Sequence, residues 1–146
     1  MNLLHYNYLT TDYQGYEFYS EGRKESIKKL VTFAMIQEEP VIYNLAFGDA
    51  DPETGLMNDS VTSNNEDRDI VLATVANTVS AFCDHHGDHF IYAKGSTPVR
   101  TRLYQMGING IIDEISVDFN VYGVIGDTAY VFEKNVNYEA FLVKRK

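Results

Sequence analysis

The sequence predicts an α+β domain: a largely antiparallel sheet of about five to seven strands with two helices packed on one face. Three observations lead there. Short runs rich in Tyr, Val, Ile and Phe alternate with polar residues toward both ends of the chain. Two central segments carry apolar residues at helical spacing instead. The order is therefore strands, helix, strand, helix, strands. With 146 residues and 45% hydrophobic content, the chain reads as a single globular domain, 1–146, with enough apolar side chain for a core.

The elements follow in order. Tyr6 to Tyr19 is tyrosine-rich and predicts one or two short strands with a turn at Gly15. Ser20 to Lys24 reads as a turn, and Ile27 to Ile36 as a strand ended by Pro40. Val41, Tyr43, Leu45 and Phe47 alternate, the period-two signature of a half-buried strand. Gly48 to Asn58 carries Asp51-Pro52 and Gly55 and reads as a loop. Ser63-Asn64-Asn65-Glu66 matches a capping box and predicts a helix to about His85, ended by Gly87. Leu72, Val75, Val79 and Phe82 would form its buried stripe, with Ala76 and Cys83 beside them and Thr74, Asn77 and Ser80 facing away. Phe90 to Ala93 predicts a short buried strand and Gly95-Ser96-Thr97 a turn. Pro98 suits a first helical position, where its missing N–H costs nothing. That second helix is expected to end at Gly107, with Val99, Leu103 and Met106 as its core face. Val117, Phe119, Val121 and Ile125 predict a strand, Gly126-Asp127 a hairpin into Tyr130-Val131-Phe132, and Tyr138 to Val143 a closing strand.

Composition narrows the function classes. A formal net charge of −9 disfavours non-specific nucleic-acid binding, because the field of the whole molecule repels phosphate. No apolar run is long enough to span a bilayer, and Met1 to Tyr8 lacks the features of a signal peptide, so the expected address is the cytoplasm. The lone Cys83 forms no internal disulfide and, beside a buried stripe, is expected to be inert.

Against this acidic background, His89 to Ile112 contains no Asp or Glu. It includes Lys94, Ser96, Thr97, Arg100 and Arg102 at a strand–turn–helix junction. Free amides at a helix N-terminus, two hydroxyls and three cations suit a bound anion. The competing reading is a capped helix whose arginines pair with the protein's own carboxylates, and the wheel places Arg100 and Arg102 on opposite flanks of the stripe. The Walker spacing is absent. A second candidate is the start of the long helix. There Asn64 and Asn65 offer polar side chains, and Arg68 is expected to lean toward Leu72 and Val75, making a composite site with the first or a structural ion pair. His85, His86 and His89 are of zinc-ligating type, but their spacing fits no standard motif, so no metal and no other cofactor is expected. Val143-Lys144-Arg145-Lys146 reads as a solvated basic tail, and no spacing supports nucleophilic catalysis.

Four stretches carry a family resemblance: Tyr43 to Asp49, Ser63 to Asp69, Tyr92 to Tyr104 and Asn137 to Val143. On these the chain resembles an uncharacterised family of small bacterial proteins, known as a domain of unknown function. That resemblance implies a single domain and no particular activity. Two functions stay open. One is a site for a phosphate-bearing or other anionic small molecule, such as a nucleotide. The other is a non-enzymatic interaction module whose partner is a protein, such as the product of a neighbouring gene in a bacterial two-gene operon.

Overall fold

The computed structural model of the chain describes residues 3–23, 25–58 and 66–146. Strands β1 (Tyr8–Thr10), β2 (Gly15–Glu21), β3 (Ser26–Glu38) and β4 (Val41–Ala50) form an antiparallel meander. A short strand, β5 (Met57–Asn58), folds back on the end of β4. Helix α1 (Arg68–His86) leads to β6 (Phe90–Ala93), which pairs with β4 in parallel. Helix α2 (Pro98–Asp118) leads to β7 (Phe119–Ile125), β8 (Thr128–Val131) and β9 (Ala140–Arg145). Among the described strands the order is β1-β2-β3-β4-β6-β9-β7-β8, with β5 beside β4, and β4–β6 is the one parallel pair. The fold is thus α+β, with nine strands where about five to seven were expected. β5, two residues within the expected loop, is too short for alternation to register, and β1, three residues, is the first of the one or two strands expected over Tyr6 to Tyr19.

Alternation decides which side of the sheet is covered. Tyr16, Phe18 and Ser20 on β2, Val31 and Phe33 on β3, Tyr43 and Leu45 on β4, and Ile91 on β6 are all buried on one face. α1 lays Phe82 on that face, stacked on Phe33 with ring centroids 4.3 Å apart and edge-on to Tyr43 at 4.8 Å. Ile111 and Ile115 of α2 join the same core.

Several expectations change at the helices. The capping residues Ser63, Asn64 and Asn65 lie outside the described residues. α1 begins at Arg68 with Asp67 as its N-cap. Thr74 is fully buried and does not face away: its hydroxyl accepts from the Tyr6 amide and donates to the Ile70 carbonyl. α2 does not stop at Gly107 but runs to Asp118, so Val117 is helical and 68% exposed. Val99, Leu103 and Met106, expected in the core, are exposed, and the buried positions are Thr101, Gln105, Gly107, Ile111 and Ile115. The cause is close helix packing: a Cβ on Gly107 would lie 1.7 Å from Leu72 Cδ1 of α1. Ser20 belongs to β2, not to a turn, and Gly48 to Ala50 belong to β4, not to a loop. Lys144 and Arg145 close the sheet as part of β9 and are not a solvated tail. Arg145 binds both Asp84 and Asp88.

Candidate functional site

β6 delivers the chain to the basic turn, and the local sequence explains the shape of that turn. Gly95 is required because a Cβ there would lie 2.4 Å from the Thr101 amide and 2.7 Å from Arg100 Cβ. Its own N–H donates to Thr101 Oγ1 at 3.0 Å, so the turn is folded onto the first turn of α2. Thr97, extended at φ −137°, is the N-cap, and its hydroxyl accepts from the Arg100 amide at 3.2 Å. The Thr101 amide goes to the Thr97 carbonyl, and Pro98 has no N–H to offer. Helix capping therefore occupies donors that the sequence left for an anion. With the Arg100 and Thr101 amides taken, side chains are the main source of positive charge at this junction.

Those side chains are present. Arg100 is half-buried and donates through Nη1 to Ser96 Oγ at 3.0 Å, one turn back. Lys94 and Arg102 are exposed. Among the described residues, no carboxylate lies within ion-pair distance of Lys94, Arg100 or Arg102. Lys28, Lys29 and Arg145, by contrast, are paired with Glu17, Asp49 and the Asp84–Asp88 pair.

Of the second candidate, Arg68 does not join the first. Arg68 is exposed and does not lean into the apolar stripe. The next residue, Asp69, reaches Gly110, and Leu72 sits on Gly107. The start of α1 therefore lies against the middle of α2, about 14–18 Å of helix rise from Pro98. Asn64 and Asn65 lie outside the described residues.

The histidines are engaged within the fold. His85 stacks on Tyr13 at 4.2 Å, His86 stacks on Phe82 at 4.4 Å, and His89 Nε2 lies 3.0 Å from the His86 carbonyl. Among the described residues, no group of three or more His, Cys, Asp or Glu is placed to hold a metal ion. Burial pushes the Cys83 thiol up to about 11, which disfavours a nucleophilic thiolate.

Two polar groups, one buried and one half-buried, stand outside the expectations above. Lys29 and Asp49 face each other on the covered side of β3 and β4, 4% and 7% exposed, with the ammonium also 5.9 Å from the Phe47 ring centroid. Asp67 accepts from Tyr6 Oη at 2.6 Å and from Ser20 Oγ, tying α1 to β2. Burial and the bond to Asp67 both push the Tyr6 hydroxyl pKa up. The signal for the first pair was in the sequence. Lys29 is in phase with Val31 and Phe33, and Asp49 with Tyr43, Leu45 and Phe47, so alternation alone assigns both charges to the core face.

Between the helices and the sheet lies a cavity of about 120 Å³, lined by apolar side chains that include Leu45, Leu72, Ile91, Ile108 and Phe141. Tyr104 also lines it, and its hydroxyl donates to the Phe47 carbonyl at 3.4 Å. No helix among the described residues is long and apolar enough to cross a membrane. No curated protein and no solved structure matches the chain. A family model does match, over residues 2–146, and the chain belongs to that family, DUF6934, described as a family of unknown function.

Proposed function

We propose that this protein binds a small molecule bearing a phosphate or carboxylate, a nucleotide among the candidates, at the turn from β6 into α2. One observation carries the reading. In a chain with 21 acidic residues, Lys94, Arg100 and Arg102 fall within nine residues at one strand–helix junction, and none has a carboxylate partner among the described residues. The position supports it too. In open sheets with parallel strands, ligands gather beyond the carboxyl ends of those strands. This turn follows the carboxyl end of β6, half of the one parallel pair among the described strands. In this reading Arg100, held in place by Ser96, supplies the central charge, and Lys94 and Arg102 add to the positive field of the junction.

Calorimetric titration with inorganic phosphate and with nucleotides at low salt tests this. Arg100→Ala is expected to weaken binding by about 1.5–3 kcal/mol, the size of a charged hydrogen bond, with little loss of stability. Absence of binding by every anion tested, or a large fall in melting temperature for Arg100→Ala, would count against the proposal.

A second reading, an interaction module for a partner protein with an apolar face, draws on a different observation. Both helices cover one side of the sheet, and the other side presents Ile42, Phe90, Tyr92, Tyr122 and Leu142, only half-buried. Charge substitution at Tyr92, tested for loss of partner binding with anion binding intact, separates the two readings.

A further inference from the structure

The cavity between the helices and the sheet lies next to the basic turn, and its chemistry is different. β4 and β6 pair only as far as Leu45 and Ala93; beyond that β4 continues to pair with β5, while the chain after Ala93 turns away. The strands fork at this point, and the cavity reaches the fork, lined there by Phe47, Ala93 and Tyr104. Ala93 directly precedes Lys94, and Tyr104 lies one helical turn after Arg100 on the same side of α2.

Water is a poor occupant. A buried water needs two to four polar partners, and this lining offers a single tyrosine hydroxyl already directed at the Phe47 carbonyl. Protein interiors leave few voids larger than a water molecule. A cavity of about 120 Å³ is close in size to those that hold benzene, so it accommodates roughly five to seven carbon atoms.

We infer that this cavity takes the aliphatic or aromatic part of an amphiphilic ligand whose anionic group sits at Lys94 and Arg100. The charged half of this inference rests on the anion-binding reading above; the apolar half rests on the cavity. The ligand class is a short acyl, alkyl or aryl chain ending in a phosphate or carboxylate.

The experiment uses the full chain and three probes: inorganic phosphate, neutral toluene and hexyl phosphate. Binding is read by calorimetry and by chemical-shift changes of the methyl groups of Leu72, Ile91 and Ile108. Hexyl phosphate is expected to bind at least about tenfold more tightly than inorganic phosphate, since its chain leaves water. Filling the cavity with Ala76→Leu, or with Ile108→Phe should the first variant fold poorly, is expected to abolish toluene binding. The same change should remove the hexyl advantage and leave phosphate binding as it was. Arg100→Ala is expected to do the reverse, weakening both phosphates and sparing toluene. Equal affinity for the two phosphates overturns the inference while the anion site stands, as does a hexyl advantage that persists in the filled variants. Toluene binding with no response to either phosphate overturns the anion site and with it the amphiphile.

Discussion

The residues that matter most to this fold are polar ones in apolar positions. Lys29 and Asp49 occupy core-facing steps of two adjacent strands and form a buried ion pair. Desolvation of both charges offsets much of their attraction, so the pair adds little net stability, yet breaking it is costly. Lys29→Met is expected to destabilise by about 3–5 kcal/mol in urea unfolding, because the cation that balances Asp49 is gone. Lys29→Met combined with Asp49→Leu is expected to recover most of that loss; a double variant as unstable as the single would show that the ammonium has another role. Both positions were readable from alternation. Thr74 was not, because a threonine on a helix gives no sign of which neighbour it will meet. It is buried because Tyr6, far away in sequence, brings an amide to it. Arg68 was misplaced for a related reason: helix phase alone set its direction, and at the first position of α1 it points to solvent.

At the scale of elements, the strands with long alternation were legible and α2 was not. Gly107 reads as a terminator, and on a segment that ends there the helical wheel turns the wrong face inward; Gly110 lies further along the same helix. The stripe that buries α2 is Tyr104, Ile108, Ile111 and Ile115, which emerges only when the helix continues past both glycines. The two glycines also differ in kind. A Cβ at Gly107 would drive into Leu72, whereas at Gly110 the nearest atom is Asp69 Oδ1 at 3.6 Å, an ordinary contact. Helix propensity favours alanine at both sites by about 0.5–1 kcal/mol. Overpacking opposes it at Gly107 by about 1–3 kcal/mol. Gly110→Ala is therefore expected to stabilise and Gly107→Ala to destabilise, with Leu72→Ala partly rescuing the latter in a double-mutant cycle. Changes of the same sign at both glycines would contradict this packing. The basic turn was legible as a cluster but not as a capped end. Sequence shows that Thr97 and Thr101 are near a helix start, but not that the Thr97 hydroxyl takes the Arg100 amide and the Thr101 hydroxyl that of Gly95.

For the molecule as a whole, one core under two helices means that its buried titratable groups respond to unfolding together. Burial raises the Cys83 thiol from 9.0 to about 11 and the Tyr16 hydroxyl from 10.0 to about 12, and it also raises Tyr6 and Tyr8. In each case the folded state holds its proton more tightly than the unfolded chain. Stability from these groups is fully present below the unfolded value and is lost as pH rises toward the folded one. At the acid end the sign is opposite. Asp12 and Asp51 are lowered by the backbone amides they accept from, so their contribution is present above the ordinary carboxylate value and fades as pH falls. Asp12 is exposed and Asp51 half-exposed, and the alkaline side is the steeper. The melting temperature is expected to hold from neutral pH to about pH 9 and then fall through pH 12. Ionisation of the buried Tyr16 and loss of circular dichroism should coincide, as two-state unfolding requires. Cys83→Ala isolates one part of this limb. The variant is less stable at pH 7, because a buried sulfur is replaced by space. It lacks the thiol whose proton the wild type must lose on unfolding above pH 9. The gap in melting temperature between wild type and variant should therefore narrow between about pH 9 and 11. A gap that stays constant across that window would mean that Cys83 does not titrate with unfolding, and that the alkaline limb belongs to the tyrosines alone.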